Sequence, residues 1–201
     1  MSRRRVLITG GSKGIGRATA EALAERGWRV ALLAIGMCLP ALRASRGAVA
    51  TFGGGGATSP LPRFDAYAAS KAAVARLTEN LALELAGTGV RVNCVSPGFV
   101  ATSIHRSTLA AGPELAGADY FERTRAELER GGVPAREAAE LICLLLEGDP
   151  DTPFTGKLIS AQWDAWREAG FRRRLASDGD LGTLRRIDDV LFTATGERVS
   201  V

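Results

Sequence analysis

Short apolar runs and helical patterns alternate along the first part of the chain. An apolar, β-branched run over residues 5–9 ends in glycines and predicts a buried strand. Residues 14–26 repeat apolar side chains on one helix face, and residues 28–33 predict a second strand. A strand, a glycine turn, a helix and a strand in this order indicate a βαβ unit with two parallel strands.

The rest of the chain continues the alternation. Its strongest helix is predicted over residues 66–85, where alanine and leucine recur four residues apart, and a strand follows over 90–95. The other predicted elements are a short helix at 36–46, strands at 48–52 and 157–160, and amphipathic helices at 118–130 and 134–146. Beyond residue 161 the sequence is polar and irregular.

A length of 201 residues, with 46% hydrophobic and 24% charged residues, is typical of a single globular domain. We predict one domain over 1–201, with its core at 5–160 and a C-terminal extension at 161–201. The formal charge of +4 raises the question of a nucleic-acid partner. Because the cations are scattered and aromatic residues make up only 6%, a solvated surface or a phosphorylated cofactor explains the charge better than nucleic acid.

The cysteines and the apolar runs indicate the compartment. Cys38, Cys94 and Cys143 lie far apart in apolar segments without metal-site spacing, and His105 is the only histidine. Free, mostly buried thiols in a reducing compartment fit this pattern, so we expect no bound metal and a cytoplasmic location. The longest apolar run, residues 30–42, contains glycine and proline and is shorter than the roughly 20 residues that span a bilayer. We therefore expect no membrane partner.

The segment TGGSKGIG at 9–16 joins the first predicted strand to the first predicted helix. Gly10, Gly14 and Gly16 leave no β-carbon between the turn and a ligand. Backbone N–H groups and the positive helix end can then bind a pyrophosphate. A dinucleotide site and a tight turn without a ligand are both compatible with the glycines alone.

The choice between NAD and NADP depends on the charges near this turn. A site for NAD has an acidic residue about 20 residues further on, which binds the ribose 2′-hydroxyl. No Asp or Glu occurs between Glu25 and Asp65, whereas Lys13 lies inside the turn and Arg17 follows it. Cations suit a 2′-phosphate, so NADP(H) is favoured and NAD(H) is the alternative.

A second motif, Tyr67-x-x-x-Lys71, opens the strongest predicted helix. A spacing of four residues puts the phenol and the ammonium on one helix face. The lysine charge favours the phenolate and is expected to lower the pKa of the tyrosine. Such a phenol can exchange a proton with a carbonyl or alcohol oxygen near neutral pH. Taken alone, the pair also occurs as a structural feature of alanine-rich helices.

The two motifs are followed by the segment RVNCVSPG at 91–98 and by Thr102. Together they resemble the short-chain dehydrogenase/reductase family over residues 5–34 and about 47–105. The resemblance implies that Tyr67 is the catalytic acid/base, and that Lys71 lowers its pKa and holds the nicotinamide ribose. The cofactor-binding residues that it implies are Gly10, Ser12, Lys13, Gly14, Ile15, Gly16, Lys71, Pro97, Gly98, Val100 and Thr102. The segment from about 103 to 120 would be a mobile substrate lid.

The same resemblance implies an α/β fold with a Rossmann-like, doubly wound parallel sheet. Here the sheet is shortened to about five strands, which could follow the order 2-1-3-4-5. The implied reaction is hydride transfer between NADP(H) and a small carbonyl compound or secondary alcohol. The family's oligomer is usually formed by a pair of helices. One is represented here by residues 66–85 and the other only by a short remnant, so a homo-oligomer is left open.

Two features depart from the family's pattern. Only 51 residues separate Gly16 from Tyr67, against well over a hundred in the family. An internal stretch is therefore missing, and the join is expected near residues 34–36. The family's catalytic serine, expected 13 residues before the tyrosine, is replaced by Gly54. Nearby hydroxyls without that spacing are carried by Thr51, Thr58 and Ser59.

Two functions therefore compete. The glycine turn and the pair of Tyr67 and Lys71 favour an active oxidoreductase. The missing stretch and Gly54 favour a shortened, catalytically impaired paralogue or a truncated product with a nucleotide-binding or interaction role. Three further polar residues are expected to be structural or solvated: Glu79 exposed on its helix, Asn93 bonded to backbone, and His105 in a loop.

Overall fold

The computed structural model describes residues 5–7, 14–26, 29–31, 35–149, 151–185, 190–192 and 198–200. The strands in these ranges are β1 (Arg5–Leu7), β2 (Arg29–Ala31), β3 (Ala48–Phe52), β4 (Arg91–Ser96), β5 (Leu158–Ser160), β6 (Val190–Phe192) and β7 (Arg198–Ser200). The helices are α1 (Gly14–Glu25), α2 (Ile35–Ser45), α3 (Asp65–Glu84), α4 (Ser103–Ala116), α5 (Ala118–Glu129), α6 (Ala135–Glu147) and α7 (Ala169–Ser177).

Three parallel strands form the centre of the described fold, in the order β3-β4-β5. The register pairs Phe52 with Val95 and Ser96 with Ser160, so the three strands end at the same edge. The middle strand, β4, is buried along its interior from Val92 to Val95. Its apolar sequence suits a parallel strand that is covered on both faces.

Helices cover the two faces of this sheet with two separate apolar clusters. On one face, α6 packs against α1 and buries most of its apolar side chains together with Val95 and Ile159. On the other face, α2 and α3 pack around Val90 and Val92. Because alternate residues of a strand point to opposite faces, Ala50 of β3 joins the first cluster and Val49 joins the second. The architecture is therefore a doubly wound α/β fold.

The five parallel strands predicted from the sequence are all present. β1 pairs with β2, and the order of β3, β4 and β5 is as predicted. The pairing of β1 with β3 that the order 2-1-3-4-5 also requires is not among the pairings of the described residues, which fall into separate sheets. Helix α4, helix α7 and the antiparallel pair of β6 and β7 were not predicted.

The C-terminal extension contains α7 and contacts β5, so the expected irregular tail is wrong for residues 169–177. Lys157 is buried, and its ammonium donates hydrogen bonds to the carbonyl oxygens of Asp178, Gly179 and Leu181. Further along, the Arg185 guanidinium pairs with Glu79 of α3. Glu79 is 8% exposed and also pairs with Arg76, so its expected exposure is wrong as well.

None of the helices in the described ranges combines the length and the apolarity needed to cross a bilayer. The three cysteines are free thiols, and Cys94 and Cys143 are buried, as predicted. Within the same ranges, no group of three His, Cys, Asp or Glu side chains is placed to hold a metal ion.

Candidate active site

The candidate site lies at the edge where β3, β4 and β5 end. The chain leaves this edge through Gly53 and Gly54 after β3, and through Pro97 and Gly98 after β4. Ligands of open α/β sheets bind beyond the carboxyl ends of the parallel strands. Helix α3 starts close to the same edge, and its first two turns carry Tyr67 and Lys71.

Two glycines follow β3 at this edge, and the second of them faces α3. The N–H of Gly53 donates to the carbonyl of Val95 at 2.9 Å, and a β-carbon at 53 would lie 3.0 Å from the thiol of Cys94. A β-carbon at 54 would lie only 2.8 Å from the hydroxyl oxygen of Tyr67. Residue 54 therefore lies beside the Tyr67 hydroxyl, in the place expected for the family's serine.

The side chains of Tyr67 and Lys71 converge at Gly54. The Lys71 ammonium lies 5.6 Å from the centre of the Tyr67 ring, and a β-carbon at 54 would lie 3.6 Å from Cγ of Lys71. The ammonium donates a hydrogen bond of 3.1 Å to the carbonyl of Phe52, the last residue of β3. This bond fixes the lysine at the carboxyl edge of the sheet.

The structure corrects one expectation about this pair. Burial raises the pKa of Tyr67 above its ordinary value, and the nearby phenol of Tyr120 raises it further. The expected lowering of this pKa is therefore wrong. The physical reason is that burial disfavours the charged phenolate.

Three hydroxyls lie near the sequence position of the missing serine. The Thr51 hydroxyl lies 2.6 Å from that of Thr78. Thr78 is three helical turns beyond Tyr67, about 16 Å along α3 at 1.5 Å per residue. Thr58 and Ser59 are exposed in the loop before α3. Of the three alternatives, Thr51 is therefore excluded by its position.

The predicted cofactor-binding residues divide into two groups. Gly10, Ser12 and Lys13 lie outside the described residues. Gly14, Ile15 and Gly16 form the first turn of α1, which carries no acidic residue, so its positive end suits a diphosphate. The Ile15 side chain packs against the larger apolar cluster, and its carbonyl accepts a hydrogen bond from the Thr19 hydroxyl.

The second group follows β4. Gly98 has φ 76°, and a β-carbon there would lie 2.5 Å from Oε1 of Gln162, so glycine is needed for this close contact. The N–H of Val100 donates to the carbonyl of Gly98, and Thr102 is the residue from which α4 starts. This segment, including Pro97, lies at the same edge as Tyr67. Sequence reasoning missed Gln162, for which no motif exists.

The segment predicted to be a mobile lid forms α4 and the start of α5. The ring of Tyr120 lies 4.6 Å from that of Phe64, the residue just before α3, at an angle of 50°. Sequence reasoning assigned no role to Tyr120 within the site. His105 belongs to α4, with its ring 3.9 Å from that of Phe99, so its expected place in a solvated loop is wrong. Burial lowers the pKa of this histidine.

Asn93 has the structural role that was predicted. Its side chain is 1% exposed, and its amide donates to the carbonyl of Phe154. Its Oδ1 accepts a hydrogen bond of 3.0 Å from the N–H of Lys157. The residue thus joins β4 to the loop before β5.

A family model described as short chain dehydrogenase matches residues 4–37 and 32–111, more than half of the chain. The chain belongs to the short chain dehydrogenase family. A short chain dehydrogenase/reductase from Saccharomyces cerevisiae has the same fold, with a TM-score of 0.69 at 18% identity, over 84% of this chain and 99% of that chain. The predicted family and its Rossmann-like fold are confirmed.

Curated relatives of this short chain dehydrogenase match over part of their length. An uncharacterized oxidoreductase from Escherichia coli is 43% identical over 93 residues, which are 46% of this chain and 35% of the relative. A chloroplastic protein of Arabidopsis thaliana, named NADPH-dependent aldehyde reductase-like, is 41% identical over 100 residues, which are 49% of this chain and 34% of the relative. The matched part thus spans about a third of these relatives.

Proposed function

We propose that the chain reduces a small aldehyde or ketone with NADPH, and that Tyr67 donates the proton. The observation that carries the proposal is the convergence of Tyr67 and Lys71 at Gly54, on the carboxyl edge of the sheet. A phenol that is kept neutral by burial has a proton to give at neutral pH. The name of the Arabidopsis thaliana relative supports both the aldehyde and NADPH.

Each group has a defined part in the proposed reaction. When bound, NADPH would supply the hydride that reduces the carbonyl carbon and would itself be oxidised to NADP⁺. Tyr67 donates its proton to the carbonyl oxygen, which becomes a hydroxyl, and the phenol regains a proton from solvent. Lys71 offsets the negative charge that develops on Tyr67 while this proton leaves. An alcohol would be oxidised by the reverse steps.

The described residues fit a dinucleotide. The first turn of α1 presents free backbone N–H groups without a competing carboxylate. We propose that this turn holds the diphosphate together with Gly10, Ser12 and Lys13, and that Lys71 and the segment from Pro97 to Thr102 hold the nicotinamide end. Lys13 and Arg17 favour a 2′-phosphate over a hydroxyl.

A nucleotide-binding chain with little or no turnover is the second candidate, and Gly54 favours it. Losing one positioned hydrogen-bond donor costs on the order of a hundredfold in rate. We also propose that an internal stretch of the family's fold is missing near residues 34–36. The two segments matched by the family model overlap at 32–37, which supports this join.

Two measurements on the purified chain separate these functions. NADPH at about 100 times its Kd should raise Tm by about 5–10 °C, with a smaller shift for NADH. Gly14→Val should remove the shift, since a side chain there blocks access to the turn. Loss of absorbance at 340 nm with a panel of aldehydes and ketones then measures turnover.

Tyr67→Phe is the matched control for turnover, because it removes one oxygen and keeps the ring. It should retain the Tm shift with NADPH and lower kcat by about a hundredfold to ten-thousandfold. A Tm shift without turnover on any carbonyl would favour the nucleotide-binding candidate. If NADPH causes no Tm shift and no carbonyl compound is turned over, both candidate functions are rejected.

A further inference from the structure

We infer that the hydroxyl of Tyr120 is the second hydrogen-bond donor to the substrate's carbonyl oxygen, in place of a serine at residue 54. The inference rests on the proposed function, in which Tyr67 gives that oxygen its proton. It assigns a catalytic role to a residue of the α4–α5 segment that no motif of the sequence marks.

The need for another donor comes from Gly54. This residue lies beside the Tyr67 hydroxyl and has no side chain. The Thr51 hydroxyl is bonded to Thr78, far along α3. A carbonyl oxygen that accepts a hydride becomes strongly negative, and a single donor stabilises it less well than two.

The position of Tyr120 follows from its contact with Phe64. The two ring centres are 4.6 Å apart, which is a close aromatic contact. Phe64 immediately precedes α3, and Tyr67 lies three residues further on in the first turn. The carbonyl of Phe64 accepts a hydrogen bond of 2.8 Å from the N–H of Ala68, the residue after Tyr67, so Phe64 adjoins this turn. The contact therefore brings Tyr120 against the turn that carries the proton donor.

Two further contacts hold Tyr120 in this place. The Arg63 guanidinium donates a hydrogen bond to the carbonyl of Glu114, near the end of α4. The same side chain lies against Gly117, the residue between α4 and α5, where a β-carbon would be 3.3 Å from the guanidinium. The start of α5 thus packs against Arg63 and Phe64, the residues that precede α3.

Electrostatics supports the proximity of the two phenols. After burial, the phenol of Tyr120 is the second cause that raises the pKa of Tyr67. An effect of this kind weakens with distance, and it agrees with the ring contact that places Tyr120 beside the start of α3. In the proposed step the Tyr120 hydroxyl keeps its own proton and only shares it in a hydrogen bond, while the proton that is transferred comes from Tyr67.

The chain contains only two tyrosines, which makes the test direct. Protein labelled with ¹³C at Cζ of tyrosine gives two signals, and Tyr67→Phe and Tyr120→Phe assign them. Tyr120→Phe keeps the ring contact with Phe64 and removes only the hydroxyl. We expect this variant to shift the Tyr67 signal at neutral pH, to keep the Tm shift with NADPH, and to lower kcat on the order of a hundredfold without raising KM.

A serine at residue 54 provides the rescue. In the Tyr120→Phe background, Gly54→Ser should recover part of kcat, whereas Gly54→Ala should not. If Tyr120→Phe turns over as fast as the parent, or if it leaves the Tyr67 signal unmoved, the donor role of Tyr120 is overturned while the proposed function stands. Absence of turnover in the parent would overturn the proposed function and, with it, the donor role.

Discussion

A β-carbon at Gly54 would lie 2.8 Å from the hydroxyl oxygen of Tyr67, closer than two such atoms can pack. The phenol thus reaches into the space that a side chain at residue 54 would need. Because the contacting atom is the far end of a side chain, Tyr67 can yield to a small substituent. The φ of 158° at Gly54 adds similar backbone strain to alanine and to serine. Substitutions at residue 54 therefore test directly whether the Tyr67 hydroxyl acts at this position.

We expect Gly54→Ala and Gly54→Ser to affect turnover differently. Both substitutions push the Tyr67 hydroxyl away from the edge of β3, but only serine adds a hydrogen-bond donor. Gly54→Ser should therefore turn over about ten- to a hundredfold faster than Gly54→Ala. Steady-state kcat/KM with one aldehyde and NADPH measures the ratio. Equal rates for the two variants would show that a hydroxyl at residue 54 does not reach the substrate oxygen.

The pH dependence should follow the protonation of Tyr67. Burial raises the pKa of this phenol above its ordinary value, so the proton-donating form predominates through the neutral range. We expect kcat/KM for carbonyl reduction to be flat from about pH 6 to about pH 9 and to fall at higher pH. Alcohol oxidation should rise with pH over the same range, since it needs the phenolate. Profiles measured in both directions test this, and a reduction rate that falls between about pH 6 and 8 contradicts it.

Lys157 should contribute strongly to stability. Its buried ammonium donates hydrogen bonds of 2.6, 3.1 and 2.8 Å to the carbonyls of Asp178, Gly179 and Leu181. Lys157→Met leaves these acceptors without their donor and should lower the free energy of unfolding by about 2–4 kcal/mol. Urea unfolding at pH 7 measures the change.

The matched control for Lys157 is Arg136→Met. Arg136 pairs with Glu140 at 3.4 Å, but its side chain is 74% exposed. A surface pair of this kind should contribute less than about 1 kcal/mol. If both variants lose the same small amount of stability, the ammonium does not hold residues 178–181 in place.

The three thiols should differ in reactivity. Burial raises the pKa of Cys94, and it raises that of Cys143 to about 11, so both are almost entirely protonated at pH 8. Cys38 is partly exposed. Ellman's reagent should therefore release about one equivalent of thiolate quickly from the native protein, and three in denaturant. Rapid release of all three under native conditions would contradict the buried positions of Cys94 and Cys143.

The sequence predicted the elements that have a strong periodic pattern. Helix α3 and strand β4 were predicted to within about two residues, because a regular apolar face or a fully buried run marks them. Helix α4 was missed because Gly112 and Pro113 interrupt its pattern; Gly112 has φ 79° and marks a kink between two helical parts. Helix α7 was missed because Leu175 alone is fully buried along it.

The site was predictable where its residues follow one another in sequence. The spacing of Tyr67 and Lys71 places both on one face of α3, and their convergence at Gly54 agrees with it. The raised pKa of Tyr67 was not predictable, since it depends on burial and on Tyr120, which lies 53 residues away (120 − 67). For the same reason, the partner of Glu79 could not be anticipated: Arg185 is distant in sequence, and no local pattern links the two.

The α4–α5 hairpin packs chiefly on itself and meets the start of α3 through Arg63 and Phe64. Its inner packing is therefore largely independent of the β3-β4-β5 sheet. Mutations can therefore change the packing between α4 and α5 while α3 and the end of β3 keep Tyr67 and Lys71 together at Gly54. Under the proposed function, this hairpin can diverge in sequence while Tyr67, Lys71 and the contact of Tyr120 with Phe64 are kept.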